Sequence, residues 1–312
     1  MLPLIKHNLA VYFMVLACLD FSLVGACAKL LSDKGLVDGG LPAIEVVFFR
    51  NFIAALYLFY LYKKSTLKAR EGGHLRLLVF RGIAGVLSLY LLFYNIEHIT
   101  LGGAFAFHKT APIFATLLSF LVFKESVGLR GWFAILIGFC GVLFIAQPWA
   151  NAAFHTGFDL KNSLLGVLCG FLSAVSVLSA RELRRYYTTE KIAFAFMFIG
   201  TLVPLCSMLV GSFYAPSSLD FLLCEFKMPN LKAWGLIAVM GILGAIYQIH
   251  LTKSYGIAKK AGIVAGVSYL DVVFSLILGL FLGDAFPSVM VFVGIAGIIG
   301  GGIILVLDKA KG

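Results

Sequence analysis

Four ionisable residues stand inside long apolar runs of this chain: Asp20, His108, Lys109 and Asp271. Counted along a helix at ~1.5 Å per residue, all four fall close to the middle of their runs. A charge at the centre of a bilayer costs at least ~2.5 kcal/mol on insertion scales, so such groups face a partner or an aqueous cavity. The chemistry open to them is ion pairing, binding of the charged groups of a small molecule, and carriage of a proton by a buried carboxyl. Polar residues accompany them at helical spacing. Ser268, Asp271 and Ser275 lie at i, i+3 and i+7, one polar stripe on an apolar helix. Gln248 forms a similar stripe with Gly244, Thr252 and Tyr255, and His108 shares a face with Ala104, Ala111 and Ala115. Arg50 lies about two turns inside its run with Glu45 above it. Its fork suits a carboxylate or a phosphate, and pairing with Glu45 is the structural alternative. Pro112, beside His108 and Lys109, removes one helix hydrogen bond and kinks its helix. Two readings of the charged set stay open: structural ion pairs in which Asp20 and Asp271 neutralise Lys109 and another base, or the lining of a substrate path.

The elements that must position these residues are membrane helices. The 312 residues are 61% hydrophobic and 13% charged, with a mean hydropathy of +1.00; a soluble domain carries about 25% charged residues. Ten spans are expected, at about 10–31, 44–62, 75–96, 101–123, 130–148, 163–183, 191–213, 232–253, 261–283 and 287–307. All must be helices, because lipid offers no partner to open backbone groups. The net charge of +10 does not point to nucleic acid, since the basic residues fall in short connections. With a cytoplasmic N-terminus, the inner segments hold 17 of the 25 Lys and Arg residues and the outer segments 4. Both termini are therefore expected in the cytoplasm. Lys29 and Arg81 are expected to snorkel towards the membrane surfaces.

The six cysteines show no CxxC or Cys/His spacing, so neither a metal site nor a disulfide framework is expected. No HExxH, GxSxG, phosphate-binding loop or dinucleotide fingerprint occurs, so neither an enzyme, a cofactor nor ATP-driven work is expected.

The chain repeats itself. A shift of 159 residues carries Pro112 to Asp271, Glu125 to Asp284, Phe133 to Phe292, Gly138 to Gly297 and Gly141 to Gly300, and also Gly82 to Gly241 and Gly85 to Gly244. The halves run over 1–150 and 158–309, joined by a connection from Gln147 to Asn162. Five spans per half is an odd number, so the second copy must enter the membrane from the opposite side. The expected fold is an all-α polytopic membrane protein of ten transmembrane helices in two inverted five-helix repeats. Inverted repeats are a recurring plan of secondary transporters, with the substrate near the midplane.

The order of these features resembles the EamA family of the drug/metabolite transporter superfamily. Arg50-Asn51-Phe52-Ile53-Ala54 is similar to the family's Arg-x-x-x-Ala pattern. Ile96 to Ile145 is similar to its best-marked block: a short connection, a helix with a central proline (Pro112), an acidic helix end (Glu125), then Gly138-x-x-Gly141. The second copy departs where Asp271 replaces the proline. The resemblance implies membrane transport of small molecules such as amino acids, other metabolites or drugs.

Together these features lead to an expected secondary transporter of a small polar or charged metabolite, working by alternating access across a bacterial inner membrane. Arg50 and Lys109 are the candidate anchors for an anionic group. Asp20 and Asp271 are candidates for holding a cationic group or the coupling proton. With acids and bases at one depth, an amino-acid-like zwitterion fits at least as well as an anion. The expected partners are the small-molecule substrate, the lipid bilayer and the proton, in a monomer or a homodimer. The competing readings are a non-transporting sensor or scaffold, and an intramembrane enzyme built on His108 with Asp20 or Asp271.

Overall fold

A computed structural model describes residues 2–33, 35, 40–64, 73–123, 128–146, 160–183, 185–214, 216, 219–257 and 267–309. These residues form helices α1 (Leu2–Ser32), α2 (Ala43–Lys64), α3 (Leu75–His98), α4 (Leu101–His108), α5 (Ala111–Phe123), α6 (Leu129–Ala146), α7 (Leu160–Leu183), α8 (Thr189–Gly211), α9 (Leu231–Ile257), α10 (Leu270–Phe281) and α11 (Val289–Lys309), with no strand among them. Among the described residues five stretches are long and apolar enough to cross a membrane: Leu9–Ser32, Leu75–His98, Leu160–Ala180, Lys191–Gly211 and Leu231–Leu251; shorter apolar helices accompany them. The exposed surface carries Phe52, Leu56, Phe80, Leu121, Phe133 and Leu136, while Arg50, Asn51 and Asp271 are buried. That inversion of the soluble pattern belongs to a protein whose solvent is hydrocarbon. The molecule is a polytopic membrane protein.

The most extensive packing is of α6 on α11, α1 on α9, α3 on α7 and α2 on α8. Small residues allow the closest of these approaches. A Cβ added at Gly141 in α6 would lie 2.6 Å from the Gly294 carbonyl oxygen of α11, and one at Gly301 would lie 2.6 Å from the Ala134 carbonyl of α6. Gly82 of α3 abuts Ile199 of α8, and Gly241 of α9 abuts Ile53 of α2.

The fourth expected span is not one kinked helix. α4 ends at His108, and α5 starts at Ala111. Pro112 has no N–H to offer the His108 carbonyl, and its ring crowds that same group. The proline therefore sits in the first turn of α5, where its fixed φ is tolerated. The intervening turn is closed by Thr110 N–H to the Phe107 carbonyl (3.1 Å) and by the Thr110 hydroxyl to the same oxygen (2.7 Å). Gly170 of α7 presses against this turn, close to the Phe107 carbonyl and the Thr110 side chain. A second interruption lies at Ser268–Tyr269, just before α10. The first part of the ninth expected span, residues 261–266, lies outside the described residues. So do Glu125, residues 147–159 of the connection between the halves, and the side chains of Thr252 and Tyr255.

Candidate functional site

The two helix interruptions face each other. The Lys109 ammonium, at the end of α4, is 2.8 Å from Asp271 Oδ2 in the first turn of α10 and 3.4 Å from the Ser268 hydroxyl. Asp271 is almost fully buried, and its other oxygen, Oδ1, is buried without a hydrogen-bond partner. α1 fixes this end of α10. The Ser22 hydroxyl donates to the Asp271 carbonyl (3.0 Å), and the Cys18 thiol to the Val267 carbonyl (3.7 Å). Of the stripe read from the sequence, Asp271 and Ser268 reach Lys109. Ser275 does not; its hydroxyl donates to the Val272 carbonyl of its own helix (2.9 Å).

Among the described residues Arg50 is the largest fully buried side chain. It lies along α9 where Gly244 leaves room: a Cβ there would come within 3.3 Å of Arg50 Nε. One guanidinium nitrogen donates to Asn51 Oδ1 (3.1 Å), whose amide in turn donates to the Gly200 carbonyl (3.0 Å). Arg50 Nε is buried without a partner, and no described carboxylate forms an ion pair with Arg50. Glu45 does not pair with it. Its Oε2 accepts from the Lys227 N–H (3.3 Å) in the loop before α9, because α2 points this carboxylate at that loop. Tyr247 of α9 is an electrostatic neighbour of Lys109, Asp271 and Arg50 together. Its ring stacks on Phe21 at 4.7 Å, and Phe21 also meets Phe105 (5.1 Å) and His108 (5.8 Å). Gln248, the next residue on α9, is half-buried.

His108 turns away from the Lys109–Asp271 pair. Its Nε2 lies 3.4 Å from the Ser173 hydroxyl of α7, while Nδ1 is buried without a partner. Asp20 is on neither side of that pair: its Oδ2 lies 2.6 Å from Nδ1 of His250 on α9. α9 continues to Ile257, so His250 falls well inside a helix. Tyr247, three residues earlier, carries the stack with Phe21, the neighbour of Asp20, and that register brings the two side chains together.

Two further expectations are corrected. Lys29 does not snorkel; it forms an ion pair with Asp284 and also donates to the Ile99 carbonyl (3.4 Å). Gly283, with φ 91°, turns the chain after α10 so that Asp284 points back and also accepts from the Leu101 N–H (2.8 Å). Arg81 likewise packs inward, its guanidinium 4.6 Å above the Phe196 ring and donating to the Ile192 carbonyl (3.2 Å). Among the described residues no three His, Cys, Asp or Glu side chains are grouped to hold a metal ion.

An uncharacterized transporter of Helicobacter pylori is 31% identical over 95% of this chain and 94% of its own length, and the EamA-like transporter family model matches residues 8–147. The chain belongs to the EamA-like transporter family. A pseudopaline exporter of Pseudomonas aeruginosa is 28% identical over 94% of this chain and 93% of its own. A riboflavin transporter of Vibrio cholerae is 29% identical over 82% and 80%. A crystal structure only 18% identical superposes over 98% of this chain and 97% of its own with a TM-score of 0.58, which establishes a shared fold. Of the residues that carry the EamA resemblance, Arg50 and Asn51 border the buried site, Pro112 follows Lys109, and Gly138 and Gly141 lie where α6 meets α5 and α11.

Proposed function

We propose that this EamA-family membrane transporter is a secondary carrier of a small zwitterionic metabolite, amino-acid-like in its charge pattern. The observation that carries the reading is a pair of unused valences of opposite sign near one aromatic ring. Arg50 Nε and Asp271 Oδ1 are both buried and unpartnered, and both residues are electrostatic neighbours of Tyr247. An unsatisfied buried donor or acceptor costs about 1–3 kcal/mol, a debt that a substrate carboxylate and ammonium can relieve. Lys109 supplies a second cation for the anionic group, Gln248 and Ser268 lie within the polar surround, and Asp20 is kept for the coupling proton. Relatives named for pseudopaline and for riboflavin have unlike cargoes, so the charge pattern of this chain, rather than its family, selects the substrate class.

The carrier works by alternating access of two inverted five-helix halves, 1–150 and 158–309, in a bacterial inner membrane with both termini cytoplasmic. Ten spans follow if α4 and α5 together cross once and α10 completes the ninth. The packing supports this reading. The four most extensive helix pairs each join one half to the other. Gly82 of α3 meets Ile199 of α8 and its counterpart Gly241 of α9 meets Ile53 of α2, so the third helix of each half packs on the second helix of the other, and Lys109 touches Ser268, its own counterpart at the shift of 159. Self-meeting residues of this kind belong on a pseudo-twofold axis, where alternating-access carriers keep their substrate.

The test is uptake by proteoliposomes over a radiolabelled panel of neutral, acidic and basic amino acids, organic acids, amines and riboflavin. Zwitterions are expected to be carried, and Lys109→Ala and Asp271→Asn to abolish it. Transport left intact in both variants would remove these residues from the site.

A further inference from the structure

The substrate reading uses one of the acid–base pairs inside this bundle, Lys109–Asp271, and Lys29–Asp284 ties α1 to the turn after α10. Another pair joins α1 to α9: Asp20 Oδ2 and His250 Nδ1 are 2.6 Å apart, with side-chain exposures of 13% and 21%. Phe13 stacks on the imidazole at 5.8 Å. We propose that Asp20 and His250 form a proton-carrying site separate from the substrate site, and that α1 couples the two; the coupling rests on the transporter reading above.

Charge accounting gives the first reason. Imidazolium beside carboxylate is neutral as a pair. When that proton leaves to water, imidazole beside carboxylate carries a net charge of −1. Among the described residues His250 is the only ion-pair partner of Asp20. The titratable and charged groups on the elements packed against α1 each have another contact. On α1, Cys18 donates to the Val267 carbonyl. On α9, Tyr247 stacks on Phe21, and Lys253 lies 5.5 Å over the Phe13 ring. Asp271 of α10 and Lys109 at the end of α4 hold each other; His108 of α4 faces Ser173; Arg50 of α2 bonds to Asn51. On α3, Tyr90 bonds to Ser207 and Tyr94 to Asp220, and Arg81 is stacked on Phe196. The deprotonated pair is therefore an uncompensated buried charge, which the bilayer disfavours unless water reaches it. Such a site exchanges its proton when it faces an aqueous side and holds it while crossing.

Geometry supplies the coupling. Cys18 and Ser22, one helical turn apart on α1, grip the Val267 and Asp271 carbonyls on either side of the interruption before α10. Asp20 lies between them and faces α9. A change of charge at Asp20–His250 shifts α1 against α9, and α1 holds the turn that aims Asp271 at Lys109. Proton and substrate thus act on one movable element, and linkage makes the effect reciprocal.

The experiment uses the full-length protein in proteoliposomes and whichever panel member the wild type carries. Wild-type counterflow without a pH gradient establishes transport independently of the proton. Asp20→Asn and His250→Gln are expected to lose about tenfold or more of the accumulation that an imposed pH gradient produces, in the range of ordinary coupling factors. Both variants are expected to keep counterflow and substrate affinity, whereas Lys109→Ala loses all three. Gradient-driven accumulation retained by both variants overturns the proposal. Loss of counterflow in well-folded Asp20→Asn also overturns it, by placing the pair in the substrate site. If the wild type carries nothing on the panel, the transport reading fails by itself. The proton site is then judged by infrared difference spectra after a pH jump, which need no substrate. Carboxylate and imidazole bands present in wild type and Lys109→Ala but absent from Asp20→Asn and His250→Gln support it; bands unchanged in all four overturn it.

Discussion

Lys109 and Asp271 meet at 2.8 Å, each at the point where its own helix is interrupted. Removing one partner of a buried pair leaves an uncompensated charge and costs about 3–5 kcal/mol, whereas replacing both by apolar groups is often neutral. Lys109→Met and Asp271→Leu are each expected to lower the apparent melting temperature in detergent. The double variant is expected to recover most of that loss and still fail in uptake. A double variant that transports would reduce the pair to a structural role.

Arg50 is held by Asn51 and by the space at Gly244, with Nε left free. Lysine keeps the charge but loses the planar fork. Arg50→Lys is expected to weaken substrate affinity about tenfold or more, the loss of roughly one charge-assisted bond, with folding intact by size-exclusion chromatography. Equal affinity in the variant and the wild type would assign Arg50 to packing.

Gly141 and Gly300 stand 159 residues apart and look equivalent in sequence, yet their surroundings differ. A Cβ at Gly141 would meet the Gly294 carbonyl at 2.6 Å and the Ile298 nitrogen at 2.9 Å; one at Gly300 meets nothing within 4 Å. Gly141→Ala is expected to destabilise by about 1–3 kcal/mol through forced separation of α6 and α11. Gly300→Ala is expected to stabilise by about 0.5–1 kcal/mol, the ordinary gain of alanine in a helix. Thermal unfolding of the two variants side by side decides this, and equal shifts would contradict the packing described.

Asp284 accepts from both Lys29 and the Leu101 N–H, tying α1, α4 and the turn after α10 together. Asp284→Ala leaves that ammonium and that amide without their acceptor and is expected to cost about 1–3 kcal/mol. The exchange Lys29→Asp with Asp284→Lys is expected to restore only part of it, because lysine cannot accept from Leu101. Full restoration in chemical unfolding would show that the amide contact adds nothing.

Much of this protein follows from the one-dimensional pattern. Hydropathy alone requires helices that cross a membrane, since backbone groups in lipid must bond within their own segment. Depth along each run is also a one-dimensional quantity, and it singles out Asp20, His108, Lys109 and Asp271 as ionisable groups near the middle of their runs. The pairing of Lys109 with Asp271 was one of the alternatives that depth permits.

Other features needed the tertiary structure. Which acid meets which base depends on the rotation and register of packed helices, and sequence spacing does not report these between helices. Asp20 pairs with His250 because α9 runs to Ile257 and sets Tyr247 against Phe21. Glu45 serves Lys227 rather than Arg50, and Asp284 serves Lys29, because folding returns distant loops to those helix ends. Pro112 signalled a disturbance, but only the packing of Gly170 against Thr110 and Phe107 shows it as a break between two helices. The sequence determined how deep each polar group lies. The fold decided what it faces, because facing is a relation between helices and depth is a property of one.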